Sequence, residues 1–275
     1  KNLCRPWLRR EELAPFLAAL SFLTVFPSPR PADLTQRAIS DSRAWFPLVG
    51  LILGLMMVGL EWALSYAFSA YVTAAALVAF LVIANRALHL DGLMDTCDGL
   101  FGGDTPERRR EIMRDPHVGA FAVAGAGCAL LIKYGALISL LSLNLPGKEA
   151  ALLLFPMFSR YTMVLQLMVF PYVRTPGLGS PFHEYPAAVP SAIAAVVTVA
   201  AALVVGGVGG MVVLAGICIF ALLLGQGMVG LAGGMTGDTY GATNELSEAV
   251  GLLALVAIIP FGLVAPIWRQ ISEVL

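Results

Sequence analysis

Three aspartates lie close together in a chain that otherwise carries few charges. Asp91, Asp95 and Asp98 are spaced i, i+4 and i+7. At 3.6 residues per turn this spacing places all three on one helix face, within an arc of about 60°. Because like charges on one face repel each other, the pattern predicts a compensating cation. Ligands that offer only oxygen favour Mg²⁺ or Mn²⁺ over zinc, so we expect these aspartates to bind a hard divalent metal ion.

Gly92 and Gly99 lie in the same segment. Glycine lets a bulky ligand approach the backbone closely, so we expect both residues to border a phosphate-bearing substrate. Two other interpretations of the aspartates remain open from the residues alone. They would form either the solvated end of a helix or a network of polar side chains without a metal.

A second acidic segment lies nearer the C-terminus. Asp238, Glu245 and Glu248 are the only charged residues between positions 185 and 268. Asp238 and Glu245 share a face if this segment is helical, but glycines at 233, 234, 237 and 241 favour a loop or a broken helix lining a cavity. Carboxylates within a membrane are costly and usually functional, so this segment is a second candidate for the site.

Several single polar residues have two interpretations each. His89 is either a general base or a hydrogen-bonded structural histidine. Arg108 either contacts a phosphate group or belongs to a solvated interfacial helix. Arg160 and Arg43 either contact phosphate or extend their charged ends to the membrane interface.

The composition indicates a membrane protein. Of the 275 residues, 58% are hydrophobic and 13% are charged, and the mean hydropathy is +0.82. Soluble domains are usually ~25% charged, so we expect an integral membrane protein that contacts the lipid bilayer. The net charge of −1 gives no reason to expect nucleic acid as a partner. The four cysteines are scattered, without a C-x-x-C pair, and are expected to be free thiols.

Eight apolar stretches are candidate membrane segments, at about 13–27, 45–64, 66–85, 118–143, 150–172, 187–206, 208–232 and 249–268. We expect all of them to be helices, because lipid offers no partner to unpaired backbone groups. The predicted fold is an all-α, polytopic membrane helical bundle with seven or eight membrane segments. Segment 13–27 is expected to be re-entrant, because basic residues flank both of its ends.

The whole chain, 1–275, is predicted to form a single transmembrane catalytic domain. A polar insert at about 86–117 holds many of the charged side chains, including a run of arginines. Positive charge concentrates in cytoplasmic loops, so the insert is expected on the cytoplasmic side.

Longer motifs carry a resemblance to a known family. They are RALHLDGLMDTCDGLFGG at 86–103, FLTVFP at 22–27, WFPLVG at 45–50 and GGMTGDTYGA at 233–242. In this order, and over nearly the whole chain, they resemble the adenosylcobinamide-GDP ribazoletransferases, also called cobalamin synthases.

The resemblance implies a multi-pass enzyme of the bacterial or archaeal inner membrane, with its active site facing the cytoplasm. Such an enzyme transfers adenosylcobinamide phosphate from adenosylcobinamide-GDP to α-ribazole or its 5′-phosphate, releases GMP and requires Mg²⁺. A homo-oligomer, or association with other corrinoid-assembly enzymes, is compatible with it.

With this resemblance, roles can be assigned to the candidate residues. Asp91, Asp95 and Asp98 would hold Mg²⁺ on the diphosphate, and one of them or His89 would accept the proton of the attacking hydroxyl. Other residues would bind phosphate, complete the metal site or bind ribazole, namely Arg86, Arg108, Arg160, Asp238, Glu245 and Glu248.

Other functions compete with this one. CDP-alcohol phosphotransferases and membrane prenyltransferases also use aspartate clusters on helices, although the spacing in this chain differs from the CDP-alcohol motif. A cation-coupled secondary transporter would use intramembrane carboxylates as an ion site, but the chain shows no inverted repeat.

Overall fold

The computed structural model describes residues 10–26, 34–142, 146–173 and 179–266, and within these ranges the regular structure is helical. The α-helices in these ranges are α1 (Arg10–Leu23), α2 (Gln36–Asp41), α3 (Phe46–Ser65), α4 (Ala70–Ala84), α5 (Leu88–Gly102), α6 (Pro106–Ile112), α7 (Ala120–Ser142), α8 (Lys148–Val169), α9 (Pro181–Glu184), α10 (Ala188–Ala232) and α11 (Gly237–Ile258). A short 3₁₀ helix, Ser42–Trp45, leads directly into α3. A second one, Ile259–Phe261, follows α11.

The all-α polytopic membrane bundle predicted from composition is confirmed. Five helices in the described ranges are long and apolar enough to cross a membrane, and α4 with α5 forms a sixth candidate that is bent by 86°. Helix α1 contains only a short apolar stretch, Leu13–Leu23, below the ~20 residues that a span needs. Its re-entrant course therefore stays a prediction, and position 27 lies outside the described residues.

Helix α10 contains the break that separates two of the predicted segments. A straight helix of its 45 residues would be about 68 Å long, more than twice the ~30 Å hydrocarbon core. Gly207 interrupts it with φ 59° and ψ −144°. A Cβ added at Gly210 would meet the carbonyl oxygen of Ala202, which shows that the two halves fold back on each other at this point. The predicted segments 187–206 and 208–232 lie on either side of Gly207.

Helix α8 is the most deeply buried of the spanning helices and packs against α3, α10 and α11. Its contact with α3 depends on small residues, because lipid gives helices no hydrophobic reason to associate. A Cβ on Gly54 of α3 would lie 2.7 Å from the backbone of Leu152 and Leu153, and Gly50 makes a similar approach to Pro156. The backbones of α3 and α8 therefore pack in direct contact.

The sharp bend between α4 and α5 brings the two acidic segments together. Arg86 and Ala87 adopt φ values of 53° and 55°, which turn the chain so that α5 packs between α7 and α11. A Cβ on Gly92 would lie 2.7 Å from the carbonyl oxygen of Asp238 and 3.2 Å from the Cα of Gly241. Helices α5 and α11 thus meet with backbone against backbone.

Helix α11 begins twelve residues before the predicted start of its segment at 249, so the prediction of a loop or broken helix over 233–248 is wrong for most of that segment. Thr236 and Thr239 form a reciprocal capping box that starts the helix. Only residues 233–236 form a turn, in which Gly233 has φ 79°. This turn is held by hydrogen bonds between Met235 and the segment 171–173.

We expect the Gly54→Ala variant to unfold at a lower temperature than the parent protein, because the added methyl group pushes α3 away from α8. Overpacking of this kind costs ~1–3 kcal/mol. Gly59→Ala is the matched control on the same helix, since nothing lies within 4 Å of a Cβ there, and alanine favours helix. Thermal unfolding of the purified variants in detergent, followed by circular dichroism, measures both changes. Equal unfolding temperatures for the two variants would contradict the close contact.

Candidate functional site

Carboxylates from two helices meet at one end of the α5–α11 contact. Asp91 is exposed and Asp95 half-buried on α5, and Asp238 is half-buried in the first turn of α11. Asp95 interacts electrostatically with Asp91, Asp238 and Asp98. Asp238 is also near the N-terminal end of its helix, where the helix dipole favours a negative charge. The structure therefore brings the predicted aspartates of α5 together with one carboxylate from the second acidic segment.

Asp98 differs from the other two aspartates of α5. Its two oxygens accept hydrogen bonds from the backbone nitrogens of Gly119, at 2.6 Å, and Ala122, at 2.8 Å. These are the free N–H groups at the start of α7, so Asp98 caps that helix. The Asp98 carboxylate is buried against α7 and already has two backbone partners, which favours a structural role, and its predicted metal-binding role stays a prediction.

The donor set fits Mg²⁺ held jointly with a substrate. Within the described ranges, no group of three or more His, Cys, Asp or Glu side chains is arranged to hold a metal ion by itself. Magnesium is usually bound by one or two carboxylates together with substrate phosphates, and not by a cage made only of protein. Asp91, Asp95 and Asp238 provide carboxylate oxygens of the right type for that arrangement.

A cavity of about 90 Å³ adjoins these carboxylates. Asp91, Asp238 and His89 line it, together with apolar and aromatic side chains from α1, α3, α8 and α9. His89 is 1% exposed, and its Nε2 has no hydrogen-bond partner within the described residues. A buried polar atom without a partner is costly, so this imidazole is a candidate for contact with a ligand.

Gly92 and Gly99 lie at close contacts of α5. Gly92 admits α11, as described above, and a Cβ on Gly99 would meet the Met113 side chain and lie 2.7 Å from the carbonyl oxygen of Arg109. Both glycines are buried against neighbouring parts of the chain. They allow neighbouring parts of the chain to approach closely, and the expectation that they border the substrate stays a prediction.

Glu245 and Glu248 belong to a buried cluster of charges. Lys133 of α7 donates to Glu245 at 2.5 Å and also pairs with Glu248. Arg160 of α8 pairs with the other oxygen of Glu248 and donates to the Ser159 hydroxyl at 2.9 Å. The two cations and two carboxylates balance each other formally and join three helices, α7, α8 and α11.

This cluster bears on three sequence-based assignments, which stay predictions. Glu245 and Glu248 are paired with the basic side chains of Lys133 and Arg160, so their charge is already balanced within the bundle. Arg160 is fully buried, so it neither reaches the interface nor contacts the exposed aspartates. Lys133 was not among the residues predicted for the site, although a lysine in the middle of the apolar stretch 118–143 is itself a signal of function or pairing.

The other two predicted phosphate-binding arginines are engaged elsewhere. Arg86 donates to the carbonyl oxygens of Thr24, at 2.7 Å, and Ser21, at 3.3 Å, and so caps the C-terminal end of α1. Arg108 is exposed on α6 and pairs with Glu111 at 2.7 Å. Arg114, by contrast, is exposed and close enough to Asp238 to interact electrostatically with its carboxylate.

An aromatic group adjoins the cavity through Tyr240, which belongs to its lining. The rings of Tyr172 and His183 stack with centroids 4.9 Å apart, and His183 Nε2 lies 3.1 Å from the hydroxyl oxygen of Tyr240. Burial lowers the pKa of His183, and the positive charge of Arg43 lowers it further. Arg43 itself is fully buried and lies over the Phe182 ring, 5.4 Å from its centroid, which corrects both interpretations offered for it.

Comparison with known proteins identifies the family. The model of a family described as cobalamin-5-phosphate synthase matches residues 15–256. The chain belongs to this family. Adenosylcobinamide-GDP ribazoletransferase of Desulfitobacterium hafniense (strain Y51) is 39% identical over 244 residues, which cover 86% of this chain and 93% of the relative.

Further relatives have the same name. The protein of Syntrophobacter fumaroxidans is 41% identical, covering 87% of this chain and 96% of the relative, and that of Roseiflexus sp. (strain RS-1) is 36% identical with 92% of each covered. No solved structure matches the chain. This member of the cobalamin synthase family is therefore a transferase of cobalamin biosynthesis, which favours an enzyme over the transporter considered above.

We expect Lys133→Met to lower stability sharply, because it leaves Glu245 and Glu248 with one cation between them. Removing one partner of a buried ion pair typically costs about 3–5 kcal/mol. Thermal unfolding in detergent is the measurement, and Arg108→Met, which breaks an exposed pair, is the control with little expected change.

A second substitution separates charge from packing in this experiment. Adding Glu245→Gln to Lys133→Met makes the cluster formally neutral again, so the double variant should recover part of the lost stability. A double variant that is less stable than Lys133→Met would contradict the electrostatic explanation.

Proposed function

We propose that this protein catalyses the Mg²⁺-dependent transfer of adenosylcobinamide phosphate from adenosylcobinamide-GDP to α-ribazole or α-ribazole 5′-phosphate, with release of GMP. The observation that carries the proposal is the meeting of Asp91 and Asp95 of α5 with Asp238 of α11 beside a cavity. The names of the relatives supply the substrate class. A diphosphate with a nucleotide leaving group is a substrate whose charge such a site would bind through a metal ion.

Asp95 and Asp238 would hold the Mg²⁺ together with the diphosphate. When bound, the ion neutralises negative charge on the phosphate oxygens and holds them in position. Arg114, exposed near Asp238, is placed to add a positive charge to the same phosphates. The distribution of roles thus differs from the sequence-based one, with Asp238 and Arg114 in place of Asp98 and Arg108.

The reaction is a displacement at phosphorus. The 3′-hydroxyl oxygen of the ribazole ribose attacks the phosphate attached to cobinamide, a new phosphodiester bond forms, and the bond to the GMP oxygen breaks. Asp91 suits the role of proton acceptor, because it is exposed and lines the cavity. His89 lies deeper in the same cavity, away from the exposed position where the diphosphate would bind.

We place the protein in the bacterial or archaeal inner membrane, with the aspartates facing the cytoplasm. The arginine-rich helix α6 supports this orientation, because positive charges concentrate on the cytoplasmic side. Arg109 and Arg110 of this helix donate to the carbonyl oxygens of Leu231 and Ala232 at the end of α10. Helix α6 is thereby attached to the end of the bundle that carries Asp238.

Asp95→Asn should abolish GMP release, because it removes one negative charge from the proposed metal site while keeping the size of the side chain. Asp104→Asn is the matched control, since Asp104 is an exposed aspartate just beyond the same helix. The assay measures GMP released from adenosylcobinamide-GDP in detergent, with and without α-ribazole. Activity should also disappear after chelation and return when Mg²⁺ is added.

Two results would refute the metal-dependent mechanism. One is wild-type GMP release by Asp95→Asn, and the other is undiminished release after thorough removal of divalent ions. Release of CMP or of inorganic diphosphate from the corresponding substrates would instead indicate a CDP-alcohol or prenyl transferase.

The orientation can be tested with a single added cysteine. We expect Asp104→Cys to react with a membrane-impermeant maleimide in inside-out vesicles and to be protected in intact spheroplasts. The parent protein, labelled in parallel, measures the reaction of the native cysteines. Labelling of Asp104→Cys in intact spheroplasts would place this end of the bundle on the opposite side.

A further inference from the structure

The cavity beside the carboxylates has an unusual wall for a site that handles phosphates. Three phenyl rings form one side, with the centroids of Phe22 and Phe46 6.0 Å apart and those of Phe46 and Phe182 5.6 Å apart. Met163 and Leu167 of α8 continue this apolar surface. The lining is therefore mostly hydrocarbon, and the carboxylates stand at one edge of it.

The aromatic wall is held rigidly. Arg43 donates to the backbone carbonyl oxygen of Phe182 and stacks its guanidinium over the Phe182 ring. The same guanidinium donates to the carbonyl and hydroxyl oxygens of Ser40, at 2.8 and 2.9 Å. A buried cation with these partners anchors the Phe182 ring, which favours a preformed wall on this side of the cavity.

The polar atoms of the cavity are few and are unevenly distributed. Asp91 and Asp238 lie at the exposed end, and the Tyr240 hydroxyl already has His183 as a partner. His89 Nε2, buried and without a partner in the described part of the chain, is the polar atom that remains for a ligand inside. The cavity thus offers an apolar surface of aromatic rings set at different angles, and His89 Nε2 is the buried side-chain atom in its lining that has no partner within the described residues.

The parts of the two substrates that could occupy the cavity differ in size and in the number of hydrogen-bonding groups on their rings. A corrin ring is several times larger than this partly open cavity of about 90 Å³, whereas a two-ring base exceeds it only in part and can extend through its open side. Guanine presents several donors and acceptors, which would be left unpaired against hydrocarbon at a cost in binding free energy. The base of α-ribazole, 5,6-dimethylbenzimidazole, is flat and apolar except for one unsubstituted ring nitrogen, which accepts a single hydrogen bond.

We propose that this cavity is the binding site for the base of the ribazole substrate. The methyl-bearing ring inserts against Phe46, Phe182 and Met163, and His89 Nε2–H donates to the free ring nitrogen. The ribose then projects toward Asp91 and the proposed metal site. The inference rests on the proposed function, since it assigns one of the two substrates of that reaction to a particular surface.

Met163 is the residue through which the size of this site can be changed. It is 3% exposed and lines the cavity, and its flexible side chain adjusts readily to the shape of a neighbour. The cavity is only partly enclosed, so part of a two-ring base would extend through its open side. The volume next to Met163 should therefore decide which substituents on the base are accepted.

The test uses three ribosides, with benzimidazole, 5,6-dimethylbenzimidazole or the larger naphthimidazole as the base. Met163→Phe should shift the ratio of kcat/KM values toward benzimidazole riboside, and Met163→Ala should shift it toward the naphthimidazole riboside. We expect a change of about tenfold in each direction, as for one or two carbon atoms in an apolar pocket. The KM for adenosylcobinamide-GDP should remain unchanged.

Binding is measured separately from catalysis. The fluorescence of α-ribazole on titration with protein, in the absence of the corrinoid substrate, gives a Kd that should rise about tenfold in Met163→Phe. Met168→Phe and Met168→Ala are the controls, because Met168 lies on the same helix and is 53% exposed. Leu167→Met and Leu167→Ala provide a second pair of variants if either Met163 variant fails to fold.

The possible failures are distinguishable. Unchanged base selectivity and an unchanged Kd in folded Met163 and Leu167 variants would overturn the base site while leaving the proposed function intact. A raised KM for adenosylcobinamide-GDP alone would assign the cavity to guanine and also overturn the proposal. Absence of GMP release by the parent protein with any riboside would instead refute the proposed function.

Discussion

The backbone contact between α5 and α11 is the constraint on which the site depends. Gly92 and Gly241 face each other without side chains, and a Cβ on Gly92 would collide with the backbone at Asp238. Because the two helices approach each other this closely, the carboxylates of Asp95 on α5 and Asp238 on α11 interact electrostatically. Because the contact uses backbone atoms, it has no flexible side chain that could yield, and any residue larger than glycine must move a whole helix.

Two further features hold α5 and α11 in this relation. On one side Asp98 caps α7, which ties the C-terminal half of α5 to a spanning helix. On the other side Lys133 joins α7 to α11 through Glu245 and Glu248. The three helices are therefore linked in a closed set of contacts, and the aspartates at its exposed end are positioned by polar interactions that lie deeper in the bundle.

The separation of charge in this fold has a physical reason. The buried end of α11 pairs its carboxylates with Lys133 and Arg160, because an unpaired charge there would cost several kcal/mol. The exposed end keeps the carboxylates of Asp91, Asp95 and Asp238 close together, with Arg114 near Asp238, and a metal ion with a phosphate would complete this arrangement. The same helix thus carries acidic residues of two kinds, and only their surroundings distinguish the structural from the catalytic candidates.

Sequence alone determined the class of fold and the place to search. A low charge content and long apolar stretches predicted the all-α membrane bundle, because lipid leaves helices as the economical way to pair the backbone. The periodicity of Asp91 and Asp95 placed them on one face. The motifs around them, with the segment at 233–242, carried the resemblance to the cobalamin synthases that the comparisons confirmed.

Tertiary structure alone decided which of the acidic residues share an environment. Helical periodicity is a local property, so it grouped Asp98 with its neighbours although the packing of α7 gives that carboxylate a different partner. It also could not show that Lys133, more than 100 positions away in sequence, neutralises Glu245. Gly241, one of the glycines that favoured a loop, instead allows α11 to contact α5. The partner of each of these side chains is decided by how the helices pack. The spacing of residues along one helix carries no information about that packing.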